Sequence, residues 1–221
     1  MIRGLEAHEF ERVLKSAKFT ERVCDLAAFT LKHSTEGGLA VYKNLKTAKL
    51  SISKVDTPDV EKMREDVELG ILDIWNYQTS SEKQLTYSGA VLFKPNTRVY
   101  RRDIALELHS HPTDQGKDPL YHLRPSAFDL DGTELLSGHS PNSVSAILVP
   151  YRDTANVMFY RQTPSFRNGA PVELEYLIDD SREKILGVMA NYGYSFVDAV
   201  YNLKTRQLTS DPAKLTHQLF V

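Results

Sequence analysis

Two histidines one residue apart, His109 and His111, are the side chains of this chain best suited to chemistry. Imidazole is the commonest metal ligand in proteins. The pair ends the run Ile104-Ala105-Leu106-Glu107-Leu108-His109-Ser110-His111-Pro112. Side chains alternate faces along a strand, so the spacing predicts Ile104, Leu106 and Leu108 in a core and the two imidazoles side by side on the opposite face. Pro112 has no amide hydrogen to donate and ends the strand, which leaves the histidines open to water and substrate. Downstream, Pro125 begins a predicted helix in which Ser126 and Asp129, three residues apart, share a face. With Asp129 the set is two imidazoles and one carboxylate. Such a set leaves a fourth tetrahedral position free, as in catalytic zinc sites, where the ion acidifies a water and a nearby carboxylate takes its proton. Asp114, Asp118 and Asp131 are rival ligands, but none stands three residues after a serine. Glu107, on the histidine face of the strand, is one candidate base.

These residues need a scaffold, and hydrophobic periodicity supplies its outline. Phe10, Val13, Leu14 and Ala17 predict a helix over 5–17, and Thr20 reads as the cap of a second whose face holds Val23, Leu26, Ala27 and Leu31. The segments 36–42 and 49–55 read as a strand pair, 58–69 as a charged helix, and 85–93, 97–101, 104–108, 143–149 and 157–161 as strands. Helices are expected over 125–136 and 181–190. Helices before, between and after strands predict a mixed α/β sandwich, because a sheet of this size must cover at least one apolar face. No internal repeat or low-complexity segment interrupts the pattern, and a single domain over 1–221 is expected.

With these motifs in hand, the sequence resembles the JAMM, or MPN-plus, metalloproteases. That family's pattern is a glutamate on an early strand, then His-Ser/Thr-His-Pro, then Ser-x-x-Asp on a helix. His109-Ser110-His111-Pro112 and Ser126-Ala127-Phe128-Asp129 match the second and third parts. Thr35-Glu36-Gly37-Gly38-Leu39 is similar to the first. The resemblance covers about residues 20–165, with 166–221 as a C-terminal elaboration. It implies a curled mixed sheet flanked by helices, in a layout like that of the cytidine deaminases. It also implies one zinc ion held by His109, His111 and Asp129, with Glu36 as proton shuttle and Ser126 stabilising the oxyanion. The implied substrates are peptide or isopeptide bonds after the tail of a ubiquitin-like protein. Other members cut other amides, and a catalytically silent scaffold of the same fold is the alternative. One departure from the pattern is a long stretch between Pro112 and Ser126. It is either a tolerated surface insertion or a specificity loop offering Tyr121, His122 and Arg124 to substrate.

Composition narrows the remaining classes. A net charge of −2 over 221 residues gives no global attraction to nucleic acid or anionic membranes, and Lys46, Lys49, Arg101 and Arg102 read as solvated faces. Cys24 is the only cysteine, which excludes an intramolecular disulfide and any zinc site built on several thiolates. No stretch approaches the roughly 18 apolar residues of a membrane span, and the charged N-terminus is no secretory signal, so a cytoplasmic protein is expected. A homodimer is compatible with all of this. Barrel hydrolases that carry a His-x-His need about 250 residues, with most of them after the motif. A cupin would want a glutamate where Gln115 stands. His33 and His139 read as ordinary surface or loop residues.

Overall fold

The stretch from Val144 to Tyr151 is buried along almost its whole length. Val144, Ala146 and Leu148 enter one apolar cluster, and Ile147 and Val149 enter another. A strand apolar on both faces must be covered on both sides, and the chain provides helices for each. The computed structural model describes residues 4–44, 46–57, 102–113, 118–125, 129–130, 142–166 and 181–221. In chain order they form α1 (Ala7–Leu14), α2 (Ala17–His33), β1 (Gly38–Asn44), β2 (Leu50–Ile52), β3 (Arg102–Ser110), α3 (Pro119–His122), β4 (Val144–Tyr151), β5 (Thr154–Gln162), α4 (Arg182–Asn191), β6 (Tyr194–Asn202), β7 (Gln207–Leu208) and α5 (Pro212–Phe220).

The strands make one mixed sheet in the order β2-β1-β3-β4-β5-β6-β7. Among the described strands only β3 and β4 pair in parallel. One face packs on α1, α2 and α5 through Phe10, Phe19, Leu26, Leu106, Leu108, Phe159 and Leu219. The other packs Ile147, Met158 and Tyr160 against Leu123, Leu130 and the α4 residues Ile185 and Met189. A parallel pair requires a crossover, and the one joining β3 to β4 carries Leu123 and Leu130 onto this second face. Asp129 is therefore delivered to the side of β3 on which Glu107 and His109 lie. The expected α/β class, a mixed sheet flanked by helices, is what forms. Among the described residues no helix is long and apolar enough to cross a membrane.

The structure departs from the sequence reading at several points. Leu106 and Leu108 are fully buried as expected, but Ile104 is only partly so. Val41 pairs with Leu106 and Tyr42 with Ile104, which makes Ala105 the extra residue of a β-bulge, and the alternation breaks there. Helix α2 starts at Ala17 after Ser16, not at Thr20, because Phe19 belongs to its inward face. Leu31 is 43 % exposed, and Thr30 takes the inward position instead. The strands β6 and β7 and the helices α3 and α5 were not foreseen. The elements expected at 58–69, 85–93 and 97–101, most of the helix over 125–136, and Ser126, Asp114, Asp131 and His139 lie outside the described residues.

Strand β1 is tied to α1 by a buried ion pair: Lys43 Nζ lies 2.7 Å from Glu9 Oε2, with both side chains at most 5 % exposed. Lys43 also donates to the Gly4 carbonyl, and Glu9 accepts from the Glu6 amide. Burial raises the Glu9 pKa, but the Glu6 amide and Lys43 outweigh it and hold the carboxyl below its ordinary range. Removing one partner of such a pair strands the other charge. Lys43→Met is expected to lower unfolding free energy by about 3–5 kcal/mol in urea titrations, and Lys43→Met/Glu9→Leu to recover most of that loss.

Candidate metal centre

The antiparallel register of β1 and β3 sets Gly38 opposite His109. Residues just before β1 therefore arrive beside the end of β3, and Glu36 is brought to the histidines although they are far apart in sequence. The ladder continues past β3 on both sides: the Ser110 amide donates to the Gly37 carbonyl at 3.0 Å and the His111 amide to the Leu148 carbonyl at 2.8 Å. Both histidines thus stand on backbone that is bonded into the sheet.

Between them, the buried Ser110 turns to the opposite face. Its Oγ accepts from Thr30 Oγ1 at 2.6 Å and from the Gly37 amide at 3.0 Å, and it lies 3.3 Å from the Gly37 carbonyl oxygen. Helix α2, the turn carrying Glu36 and the histidine strand meet at this one hydroxyl. A larger residue at Gly37 would crowd its neighbours, since a Cβ there would stand 2.9 Å from Leu26 Cδ1 and 3.1 Å from the Asp56 carbonyl oxygen, and both would have to give way.

His109, His111 and Asp129 converge as expected from the sequence, with ligand atoms all within 4.8 Å of one another. His109 Nε2 lies 3.0 Å from His111 Nε2 and 3.0 Å from Asp129 Oδ1, and His111 Nε2 lies 3.7 Å from Asp129 Oδ2. Donors of a tetrahedral ion with bonds of about 2.0–2.1 Å are separated by about 3.4 Å, so the set has the right size. The side chains are 15–19 % exposed, so solvent reaches the group.

The tautomers follow from the hydrogen bonds. His111 Nδ1 is 3.1 Å from the His122 carbonyl oxygen. A carbonyl only accepts, so Nδ1 carries the hydrogen and Nε2 presents a lone pair. The Nε2 hydrogen of His109 then lies between two acceptors, His111 Nε2 and Asp129 Oδ1. A cation replacing that one hydrogen would meet three donors already aimed at it. These residues fit a divalent metal ion.

Electrostatics separates the groups. Burial opposes charge on His109, but the charge and hydrogen bond of Asp129, then Glu36 and Glu107, raise its pKa to about 9. Burial takes His111 the other way, to about 4, against the pull of Asp129. Burial lifts Glu36 to about 7, with His109 opposing and Asp129 assisting. Glu107, the alternative base, is also raised by burial, while His109 and a 3.3 Å hydrogen bond from Ser145 Oγ oppose the shift. It stands one strand repeat further into the sheet than His109.

The other residues singled out in the sequence divide. Asp118 is not among the ligands: its carboxylate accepts from the Leu120 amide and caps α3. Tyr121 and Arg124 stack, with the guanidinium 4.1 Å from the ring centre, and Tyr121 also meets the His122 ring edge-on. His122 serves the site through its carbonyl. Thr30, Ser110 and Tyr160, whose hydroxyl makes a long 3.5 Å contact to the Asp129 carbonyl, were missed as supports. The one sequence signal was a threonine on the apolar face of α2.

Fold and site together define a mixed α/β protein with a two-histidine, one-aspartate group able to hold a metal ion. No protein-family model, curated protein or solved structure matches the chain.

Two outcomes follow from this geometry. Ser110→Ala leaves the Gly37 amide and the Thr30 hydroxyl without their shared acceptor and is expected to cost about 1–3 kcal/mol in chemical denaturation. Metal uptake must expel the extra proton of His109 below its pKa of about 9. Calorimetry at pH 8 in buffers of different ionisation enthalpy should therefore read about one proton released per ion. Affinity should rise about tenfold per pH unit from 7.5 to 9 and then level off.

Proposed function

We propose that this chain is a zinc-dependent hydrolase of amide bonds of the JAMM type, binding one zinc ion per chain. The observation that carries the reading is the convergence of His109, His111 and Asp129 with Glu36 beside them, its carboxyl brought to a pKa of about 7. Two imidazoles and a carboxylate are the donor set of catalytic zinc sites with an open position. The ion supplies a Lewis acid and a water of lowered pKa. His111, held in one tautomer by the His122 carbonyl, keeps its lone pair on the site without reorganisation.

Glu36 is the general base and then the general acid. A carboxyl with a pKa near neutrality can take a proton from water and return it to the leaving amine at the same pH. It stands two residues before the start of β1 and is anchored through Gly37 to Ser110, so its backbone is fixed relative to the ligands. His109 feels Glu36 more strongly than Glu107, which favours Glu36 for this role. Ser126 is assigned oxyanion stabilisation from its motif alone. The substrate we assign is a peptide or isopeptide bond after the extended tail of a ubiquitin-like protein, in a deconjugation or processing reaction. The JAMM fold layout belongs to the same proposal, which rests on the motif spacing and on the clustering of its residues.

The test offers zinc to the purified protein and follows cleavage of a ubiquitin-like tail fused through an amide. Wild type is expected to hold about one zinc and to cleave. Asp129→Ala should lose both properties. Glu36→Gln should keep the metal and lose about 10²–10⁴-fold in kcat. A wild type that binds zinc without cleaving any such fusion supports a silent scaffold, and one that binds no zinc refutes the proposal.

A further inference from the structure

Arg182 opens α4, 71 residues beyond His111 in sequence, in a part of the chain that carries none of the site motifs. Its guanidinium nevertheless reaches the segment beside the histidines. Nε donates to the Leu123 carbonyl at 2.7 Å, and Nη2 donates to both carboxylate oxygens of Asp198 on β6 at 2.6 and 2.8 Å and approaches Met158 Sδ on β5 at 3.5 Å. The side chain is 14 % exposed. It therefore joins β5, β6, α4 and the end of α3.

Leu123 is gripped from two directions. Its side chain is fully buried in the cluster formed by Ile147, Met158 and Met189, and its carbonyl is held by Arg182. The preceding residue is His122, whose carbonyl accepts the Nδ1 hydrogen of His111. One peptide unit separates the atom that Arg182 holds from the atom that sets the tautomer of a ligand. The segment sits on the crossover, outside the ladder that fixes the strands, so its position depends on such side-chain anchors.

We propose that Arg182 is a positioning residue for the metal centre: with Asp198 as its counter-ion, it clamps Leu123 so that the His122 carbonyl keeps His111 in the Nδ1–H tautomer with Nε2 free for the ion. The consequence for metal affinity rests on the metal-centre reading above, and the consequence for the tautomer does not. Arg206 provides a matched control on a distant surface, since it also donates to one backbone carbonyl, that of Glu21, and to one carboxylate, that of Asp25.

The experiment uses the full chain. Long-range proton–nitrogen correlation spectra of the metal-free protein read the His111 tautomer, and competition with a chromophoric chelator reads the zinc Kd. Arg182→Met is expected to give a mixture of His111 tautomers and a zinc Kd weakened about tenfold, within the range seen when a ligand's hydrogen-bond partner is removed. Asp198→Asn, a change at a partly exposed position that should fold, is expected to shift both readings in the same direction by less. Arg206→Met should leave both as in wild type. A folded Arg182→Met with the wild-type tautomer and Kd overturns the proposal. So does a wild type whose His111 carries its hydrogen on Nε2. If Arg182→Met does not fold, Asp198→Asn with unchanged tautomer and Kd overturns it. A wild type that fails to bind zinc refutes the metal-centre reading alone, because the tautomer comparison still decides the role of Arg182.

Discussion

Everything at the candidate centre depends on β3 being bonded on both sides to its last residue and beyond. A strand end is ordinarily where a sheet frays. Here the Ser110 amide is paired with Gly37 and the His111 amide with Leu148, so the backbone is as constrained at the histidines as in mid-sheet. The antiparallel neighbour begins where β3 ends and brings Glu36 with it. The parallel neighbour forces a crossover, and the crossover brings Asp129. One central strand thus gathers three regions of sequence, and its two partners decide which residues they are.

The charges gathered there are uneven. Two imidazoles face Asp129, Glu36 and Glu107 in a partly buried setting, and the imidazoles respond in opposite directions. His109 holds its proton because carboxylates surround it. His111 sheds its own because burial and the neighbouring cation penalise a second charge. Such a pair does not titrate as two independent histidines. The group as a whole is a set of lone pairs closed around one hydrogen. A cation of higher charge satisfies the same carboxylates better than that hydrogen does, provided the surrounding hydrogen bonds keep the rings from turning.

Much of this was legible in the sequence, for identifiable reasons. His109, His111 and Asp129 could be grouped because strand and helix periods are short and regular, whereas Glu36 entered only through the resemblance of its motif, since nothing in periodicity brings it to the histidines. Ile104 was misplaced because a β-bulge leaves no trace in a hydrophobic pattern. Thr20 was misread as a cap although it lies inside α2, and Leu31 was placed on the inward face that Val23, Leu26 and Ala27 do occupy, where Thr30 stands instead. Ser110 and Thr30 could not have been paired from sequence, since their bond joins residues 80 apart. In β6, Val197, Ala199 and Tyr201 alternate cleanly into one cluster while Tyr194 enters the cluster on the other face, so the period-2 pattern covers only the second half of the strand. In α5 the signal was present, with Asp211 before Pro212 and then Leu215 and Leu219 at helical spacing.

The place of β6 in the sheet also bears on how the protein is made. During synthesis Glu36, His109, His111 and Asp129 leave the ribosome well before residues 194–202, and until those arrive β5 has one row of backbone groups unpaired along its whole length. Phe10 likewise waits for Phe220. The nascent chain therefore passes through a stage in which His109 and His111 are exposed while its sheet has an open edge, the form most prone to pairing with another chain. A cation reaching the chain at that stage would meet His109 and His111 before Asp198 on β6 has paired with Arg182, so the closing of the late edge and the setting of the group's surroundings are linked steps of folding.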